Sequence, residues 1–169
     1  MLTNIMQILD CTFRDGGYYT NWDFNQALVD DYCKLVKSLP ISIVELGYRG
    51  NINKKDNYYG EYYFLTISNL KKIKSIIGKE KKLSVMIDLK DWQKEQDLKK
   101  NLNRCKGIVD IVRFAINPKK IRKIKKFLKV AKLLGFKVAV NLMYSHLFLS
   151  NPKIIKEVLI CKKFYDILY

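Results

Sequence analysis

The sequence predicts an α/β fold in which short parallel strands alternate with longer helices. Short apolar runs recur along the 169 residues, and most are followed by a segment with helical periodicity. Parallel strands joined in this way need helical crossovers between them. Two architectures fit the pattern: an open, doubly wound sheet, and a (β/α) barrel, which needs eight units and typically about 250 residues.

The predicted elements follow one another in a regular order. Strands are expected over 5–9, 42–46, 83–89, 108–115, 136–142 and 165–169. Helices are expected over 25–38, 65–77, 92–105 and 117–134, and another opens at 151–152. Pro118 in a first helical turn and Gly135 just past the same helix fit the usual boundary signals. Six strands fit the open sheet by count, but no Gly-x-Gly-x-x-Gly follows the first strand, so a dinucleotide-binding fold lacks its best marker.

The composition is that of a globular protein with excess positive charge. Hydrophobic residues make up 49% and charged residues 28% of the chain, which argues against disorder. The net charge of +16 comes overwhelmingly from lysines spread along the sequence. Arginine binds phosphates and base edges more specifically than lysine does, but it occurs only five times. We therefore expect no nucleic-acid partner.

The cysteines and the apolar segments indicate in which cellular compartment the protein is expected. No Cys-x-x-Cys occurs, and the widely spaced cysteines are typical of reduced, buried thiols: Cys11, Cys33, Cys105 and Cys161. The longest apolar zone, 130–149, is interrupted by Lys132, Lys137 and His146, so no membrane span is expected. The N-terminus shows no secretion signal. We expect a cytoplasmic protein with one domain, 1–169.

The most informative segment follows the first predicted strand. Residues 10–19 read Asp-Cys-Thr-Phe-Arg-Asp-Gly-Gly-Tyr-Tyr, which places charged groups at the C-terminal end of a strand. Parallel α/β proteins bind ligands and metals at that end of the sheet. Gly16 and Gly17 are expected to permit a turn and the close approach of a ligand. Thr12 is expected to support the strand end by packing or hydrogen bonding.

The run Asp10-x-Thr12-x-Arg14-Asp15-Gly16 resembles the signature of the metal-dependent aldolase and acyltransferase barrels. That superfamily includes hydroxymethylglutaryl-CoA lyase, isopropylmalate synthase, pyruvate carboxyltransferase domains and 4-hydroxy-2-oxovalerate aldolase. The extension through residue 24 is similar to a branch known only as aldolase-like. Three later segments agree in order with the second, fourth and fifth strands of these enzymes: Val44-Glu45-Leu46-Gly47, Val112-Arg113-Phe114-Ala115 and Leu142-Met143-Tyr144-Ser145-His146. The resemblance covers the whole chain and implies a (β/α)8 TIM barrel.

The resemblance also implies a site for a small 2-oxo acid or acyl-type substrate. Asp15 matches the family's metal-ligand aspartate, and a hard carboxylate suits Mn²⁺ or Mg²⁺. Arg14 matches the arginine beside the ketone oxygen, where a fixed positive charge stabilises the developing enolate. The alternative for this pair is a surface ion pair at a strand end, which would contribute little.

Further candidates lie near other strand ends. Tyr18 stands where hydroxy-oxovalerate aldolases have a histidine base, and it is either a proton carrier, if its pKa is perturbed, or a wall of the substrate pocket. Glu45 is either a carboxylate near the metal or a partner of Arg49. His146, the only histidine, is either a catalytic group or a loop residue. We expect one mouth of the sheet to carry Asp10, Arg14, Asp15, Glu45 and Asn141, and Arg113 also lies at a strand end.

The enzymes that this sequence resembles complete their metal site with a His-x-His on the seventh strand. This sequence stops at Tyr169, within the sixth predicted strand. We therefore expect a barrel truncated after about five and a half βα units, as judged against the eight of a complete barrel, with weak metal binding and no activity alone. Two functions stay open: an aldolase or lyase that makes or breaks a carbon–carbon bond next to a 2-oxo acid, and a non-catalytic half-barrel that acts as an assembly partner. Open sheet edges would allow self-association.

Overall fold

The sheet is parallel, and its strand order in space follows the chain. The computed structural model describes residues 6–51, 58–144 and 146–169. Across these ranges the order is β1-β2-β3-β4-β5-β6, and every neighbouring pair is parallel. The strands are β1 (Leu9–Asp10), β2 (Ile43–Tyr48), β3 (Lys82–Asp88), β4 (Ile111–Ile116), β5 (Lys137–Leu142) and β6 (Ile167–Leu168).

The unbroken order decides between the two predicted architectures. A doubly wound sheet reverses its strand order at a switch point, and the six described strands do not reverse. They form a curled half-barrel with alternating helices, which confirms the predicted truncated (β/α) barrel. The predicted start of the first strand at Ile5 lies outside the described residues, and the other strand bounds differ from the prediction by at most three residues.

Helices follow the strands. They are α1 (Thr12–Thr20), α2 (Gln26–Ser38), α3 (Ile67–Ile77), α4 (Glu95–Asn103), α5 (Ile121–Leu133), α6 (Leu147–Ser150) and α7 (Lys153–Ile160). Side chains of Asn25 and Thr66 cap α2 and α3 by accepting from backbone N–H groups, and Gly78 ends α3 at a φ of 83°. Such caps explain why the sequence located these ends within two residues.

No helix in the described ranges is both long enough and apolar enough to pass through a membrane.

Helix α1 corrects a prediction. The segment expected to turn at Gly16 and Gly17 is helical through both glycines. A Cβ on Gly17 would lie 2.2 Å from the indole of Trp22, whereas one on Gly16 would meet nothing within 4 Å. The indole Nε1 donates to the carbonyl oxygen of Arg14 at 2.9 Å. Gly17 therefore makes room for a buried tryptophan against the helix, and does not form a turn.

The two faces of the sheet carry different layers. Successive strand residues point to opposite faces, and the main core lies between one face and the helices. The concave face begins with a small apolar layer of Ile43, Ile111 and Ala139. Two residues further along β2 and β4, the same face carries Glu45 and Arg113. A polar layer thus follows the apolar floor in the direction of the C-terminal strand ends.

The packing of Trp22 predicts opposite effects for two neighbouring glycines. Gly17→Ala should lower the free energy of unfolding by about 1–3 kcal/mol because the new methyl group overlaps the indole. Gly16→Ala, the matched control, should be neutral or stabilising by up to about 1 kcal/mol because alanine favours the helix. Urea unfolding of both variants checks this. Equal effects would show that the indole does not restrict Gly17.

Candidate functional site

A buried carboxylate, Glu45 on β2, is the centre of the polar layer. Its side chain is 0% exposed, and Oε1 accepts from Arg14 Nε at 3.1 Å and from Arg113 Nη1 at 2.6 Å. Oε2 accepts from the Ser84 hydroxyl at 2.7 Å. The carboxylate is therefore hydrogen-bonded through both oxygens and paired with two guanidinium groups, as a charge excluded from water requires. We call Arg14, Glu45, Ser84 and Arg113 the ionic cluster.

Arg14 joins this cluster to the solvent-facing side of α1. Its side chain is 10% exposed, and Nη1 pairs with Asp15 Oδ1, whose side chain is 55% exposed. Burial by itself would lower the pKa of Arg14, but the carboxylates of Glu45 and Asp15 outweigh it and raise the pKa above its ordinary value. The guanidinium is consequently charged and fixed in place. The alternative of a mere surface ion pair does not fit so buried an arginine.

The contacts of Glu45 settle which arginine it pairs with. The proposed partner Arg49 instead donates from Nη1 to the carbonyl oxygen of Leu65 at 2.8 Å. The Arg49 interpretation was therefore wrong. Arg113 was expected at a strand end, but it is the third of the six residues of β4, on the concave face. Its guanidinium lies over the ring of Tyr169, 4.6 Å from the centroid.

Asp10 and Thr12 support the start of α1. Asp10 Oδ1 accepts from the backbone N–H of Thr12 at 3.0 Å and from the Tyr32 hydroxyl, and Oδ2 accepts from the Thr12 hydroxyl at 3.2 Å. The hydrogen-bonding role expected of Thr12 is present. Asp10 thus bonds to α1 and α2, whereas Arg14 donates to Glu45 and Asp15.

Tyr18 lies on the same face of α1 as Arg14, because residues four apart share a helix face. It is 62% exposed. Its hydroxyl is 3.1 Å from the Tyr48 hydroxyl, and its ring meets Trp22 edge-on at 4.8 Å. Tyr18 therefore forms part of an aromatic wall next to the ionic cluster.

The fifth-strand candidates lie apart from the ionic cluster. His146 is exposed at the start of α6, where its ring centroid lies 6.3 Å from that of Tyr144. Ser145, part of the same motif, lies outside the described residues. Asn141 shares the concave face with Ala139, two residues earlier on β5.

The described residues do not complete a metal site. Across 6–51, 58–144 and 146–169, no group of three or more histidine, cysteine, aspartate or glutamate side chains is placed to hold an ion. Asp15 Oδ1 is paired with Arg14, and Oδ2 accepts from the Cys11 thiol at 3.2 Å. Asp15 by itself offers at most one ligand residue, and about three protein ligands usually hold a catalytic ion such as zinc.

Sequence reasoning missed Ser84, Trp22 and Tyr48. Ser84 lies directly opposite Glu45 in the β2–β3 register, so strand pairing makes it a neighbour of the carboxylate. A serine inside an apolar strand was the available signal. Trp22 and Tyr48 contact the site only through helix α1, which the sequence did not predict.

Solved structures resemble this chain over nearly its whole length. The crystal structure of the N-terminal domain of a putative aldolase from Bacteroides vulgatus is 36% identical, with a TM-score of 0.88, and the match covers 96% of this chain and 53% of that one. A truncated form of 3-deoxy-D-arabino-heptulosonate 7-phosphate synthase from Thermotoga maritima is 12% identical, with a TM-score of 0.55, over 97% of this chain and 50% of that one, which shows the fold alone. This chain therefore spans about half the length of these two proteins.

Two further comparisons found nothing. No protein-family model and no curated protein matches this chain. The structural matches support an aldolase-type barrel fold.

The contacts of Cys11 predict a pH-dependent reactivity. Burial and the hydrogen bond to Asp15 raise the pKa of the Cys11 thiol above its ordinary value. Asp15→Asn should lower that pKa and so speed alkylation of Cys11 by iodoacetamide at about pH 8.5, because the thiolate is the reactive form. Mass spectrometry separates Cys11 from the other three cysteines, which are buried. Asp31→Asn, on the exposed side of α2, is the control; equal rates in both variants would contradict the Cys11–Asp15 contact.

Proposed function

We propose that this chain supplies the first half of an aldolase-type catalytic barrel that makes or breaks a carbon–carbon bond next to a 2-oxo acid through an enolate. The proposal places it with the pyruvate carboxyltransferase-like, metal-dependent aldolases. Support comes from the motif at Asp10–Gly16, from the aldolase-type fold, and from the match to half of a protein described as an aldolase.

One observation carries the proposal: a buried, permanently charged guanidinium at the C-terminal side of the sheet. Arg14 uses Nε for Glu45 and Nη1 for Asp15. Among the described residues, Nη2 has no hydrogen-bond partner. A fixed donor in a site that excludes water stabilises developing negative charge without reorganising at the moment of reaction. Arg14 would therefore bind the ketone oxygen as it becomes an enolate oxygen.

Other residues take supporting roles in this proposal. Glu45 holds Arg14 in orientation through the Nε contact at 3.1 Å. Tyr18, one helical turn from Arg14, is the nearest candidate to contact the substrate or pass a proton. His146 is proposed as a further proton carrier after β5, where it is exposed.

Asp15 is the ligand residue proposed for the metal. Asp15 would contribute one carboxylate ligand to Mn²⁺ or Mg²⁺, and such an ion when bound polarises a ketone oxygen. The residues described here do not fit a complete site, so none of the roles above depends on the ion.

Pyruvate binding tests the function directly. Arg14→Gln should weaken binding about tenfold or more, because hydrogen bonds to charged groups are the stronger class. Arg14→Lys, which keeps the charge, should retain part of the affinity. Saturation-transfer NMR of the pyruvate methyl signal provides the measurement, with circular dichroism to establish folding.

Arg122→Gln on the exposed surface of α5 is the matched control and should bind pyruvate like the unmodified chain. Pyruvate binding that is independent of Arg14 would contradict the proposal.

Calorimetry with Mn²⁺ tests the metal. The 169-residue chain should bind the ion weakly and show no aldolase turnover alone, because Asp15 lacks companion ligands among the described residues. Asp15→Asn should remove the remaining binding, and Asp31→Asn should not. Micromolar, Asp15-dependent affinity would mean that a second ligand set exists.

A second candidate, an assembly partner without catalysis, has its own supporting observation. Within the described ranges β1 and β6 each pair with a single strand. Apolar side chains near these edges are exposed, including Ile8 at 42% and Leu168 at 47%. Unpaired edges beside apolar side chains favour pairing with another chain.

Self-association should therefore increase as salt rises from low to physiological strength. The net charge of +16 opposes association at low salt, and salt screens that repulsion over about 8–10 Å. Light scattering across a salt series provides the test, with Leu168→Lys as a variant that should reduce association. A monomer at every salt concentration would argue against exposed edges that pair.

A further inference from the structure

A small aromatic cleft lies beside the ionic cluster. It measures about 130 Å³ and is lined by Tyr18, Trp22, Tyr48, Tyr59 and Tyr63, with Asp88 and Lys90 at one side. We propose that this aromatic cleft binds a short, neutral, hydroxylated carbon chain, and that it holds the part of the substrate beyond the 2-oxo group. The assignment of the cleft to a part of the substrate rests on the proposed function.

The arrangement of the aromatic rings leaves ring edges and phenol hydroxyls as the groups that could contact a ligand. Tyr63 stacks on Tyr59, with centroids 4.4 Å apart at 15°, and on Tyr48, with centroids 5.0 Å apart at 25°. Trp22 meets Tyr48 and Tyr63 edge-on, at 5.4 and 5.1 Å. Because the stacked rings cover one another's faces, a planar aromatic ligand would have to separate them. A ligand that contacts ring edges and forms hydrogen bonds with the phenol hydroxyls could bind without separating the rings.

The charges favour a neutral ligand. Lys90 Nζ lies 5.9 Å from the ring centroid of Tyr59 and 5.8 Å from that of Tyr63, where a ligand cation would otherwise bind. Asp88 Oδ2 is 3.1 Å from the same ammonium and offsets its charge, so an anion gains little. The lysine–aspartate pair nevertheless offers a donor and an acceptor to hydroxyl groups.

Two phenol hydroxyls complete the polar set. The Tyr18 and Tyr48 hydroxyls lie 3.1 Å apart. Burial and the contact with Tyr18 raise the pKa of Tyr48, so its hydroxyl keeps its proton. Each phenol can donate one hydrogen bond and accept another. Since one phenol donates to the other, a ligand hydroxyl beside the pair can accept from the phenol whose proton is not used and donate to a free lone pair of its partner.

Position and size connect the cleft to the substrate. Tyr18 follows Arg14 by one turn of α1, about 5.4 Å along the axis. A cavity of 130 Å³ holds a fragment of about four non-hydrogen atoms, judged from the roughly 30 Å³ that each water occupies in the liquid. The cleft is open to solvent, so it can take about four non-hydrogen atoms of a three-carbon hydroxylated chain while the remaining atoms lie outside it. Such a chain is the size of a small hydroxyaldehyde, the partner of a 2-oxo acid in aldol chemistry.

Glycerol is the probe that tests the cleft, since it carries the hydroxyls without a carbonyl that would react with lysines. Saturation-transfer NMR on the 169-residue chain should show glycerol binding that 1-propanol, with the same carbon count, does not match. Tyr18→Phe should weaken glycerol binding about 3- to 10-fold, the effect of one lost hydrogen bond. Tyr19→Phe, at a 93% exposed neighbouring position, is the matched control and should have no effect.

The outcomes separate this inference from the proposed function. Equal binding of 1-propanol, or unchanged glycerol binding in Tyr18→Phe, would overturn the cleft assignment while Arg14-dependent pyruvate binding could still hold. Tyr18-dependent glycerol binding without Arg14-dependent pyruvate binding would support a polyol site and overturn the proposed function. Stronger binding of phenol than of glycerol would overturn the ligand class. Folded Tyr48→Phe should repeat the loss seen in Tyr18→Phe.

Discussion

One buried carboxylate, Glu45, ties helix α1 to the sheet. Its oxygens accept from Arg14 on α1, Arg113 on β4 and Ser84 on β3, so a single side chain connects three elements. Removing one partner of a buried ion pair typically costs about 3–5 kcal/mol, because the remaining charge stays buried. The position of α1, and with it everything α1 carries, depends on this contact.

The two proposed sites both depend on that position. Arg14 faces the sheet and is held by two carboxylates, while Tyr18, one turn later, reaches the aromatic cleft. Gly17 lies between them and lets Trp22 pack directly against the helix. The group proposed to bind the enolate and the cleft proposed to bind hydroxyls are therefore fixed relative to each other by one short helix.

The fold was predictable because its signals are local. Apolar strand runs, the caps at Asn25 and Thr66, and Gly78 define element ends without reference to the rest of the chain. Helix α1 was not predictable in the same way, since two adjacent glycines disfavour a helix and only the packing of Trp22 explains one of them. The partners of Glu45 depend on strand register and barrel curvature, so proximity in sequence pointed wrongly to Arg49. Arg14 and Asp15 were found because they share one motif.

A double-mutant cycle between Glu45 and Arg14 tests the central claim most directly, because Arg14 is the residue of α1 that Glu45 holds. The free energy of unfolding is measured for Glu45→Gln, Arg14→Gln and the double variant. If the buried carboxylate organises the site, the coupling energy should reach about 1.5–3 kcal/mol, well above the value of about 0.2–1 kcal/mol expected for the exposed Arg122–Glu157 pair. Additive effects at Glu45 and Arg14, with no coupling, would contradict the claim that this carboxylate holds α1 on the sheet.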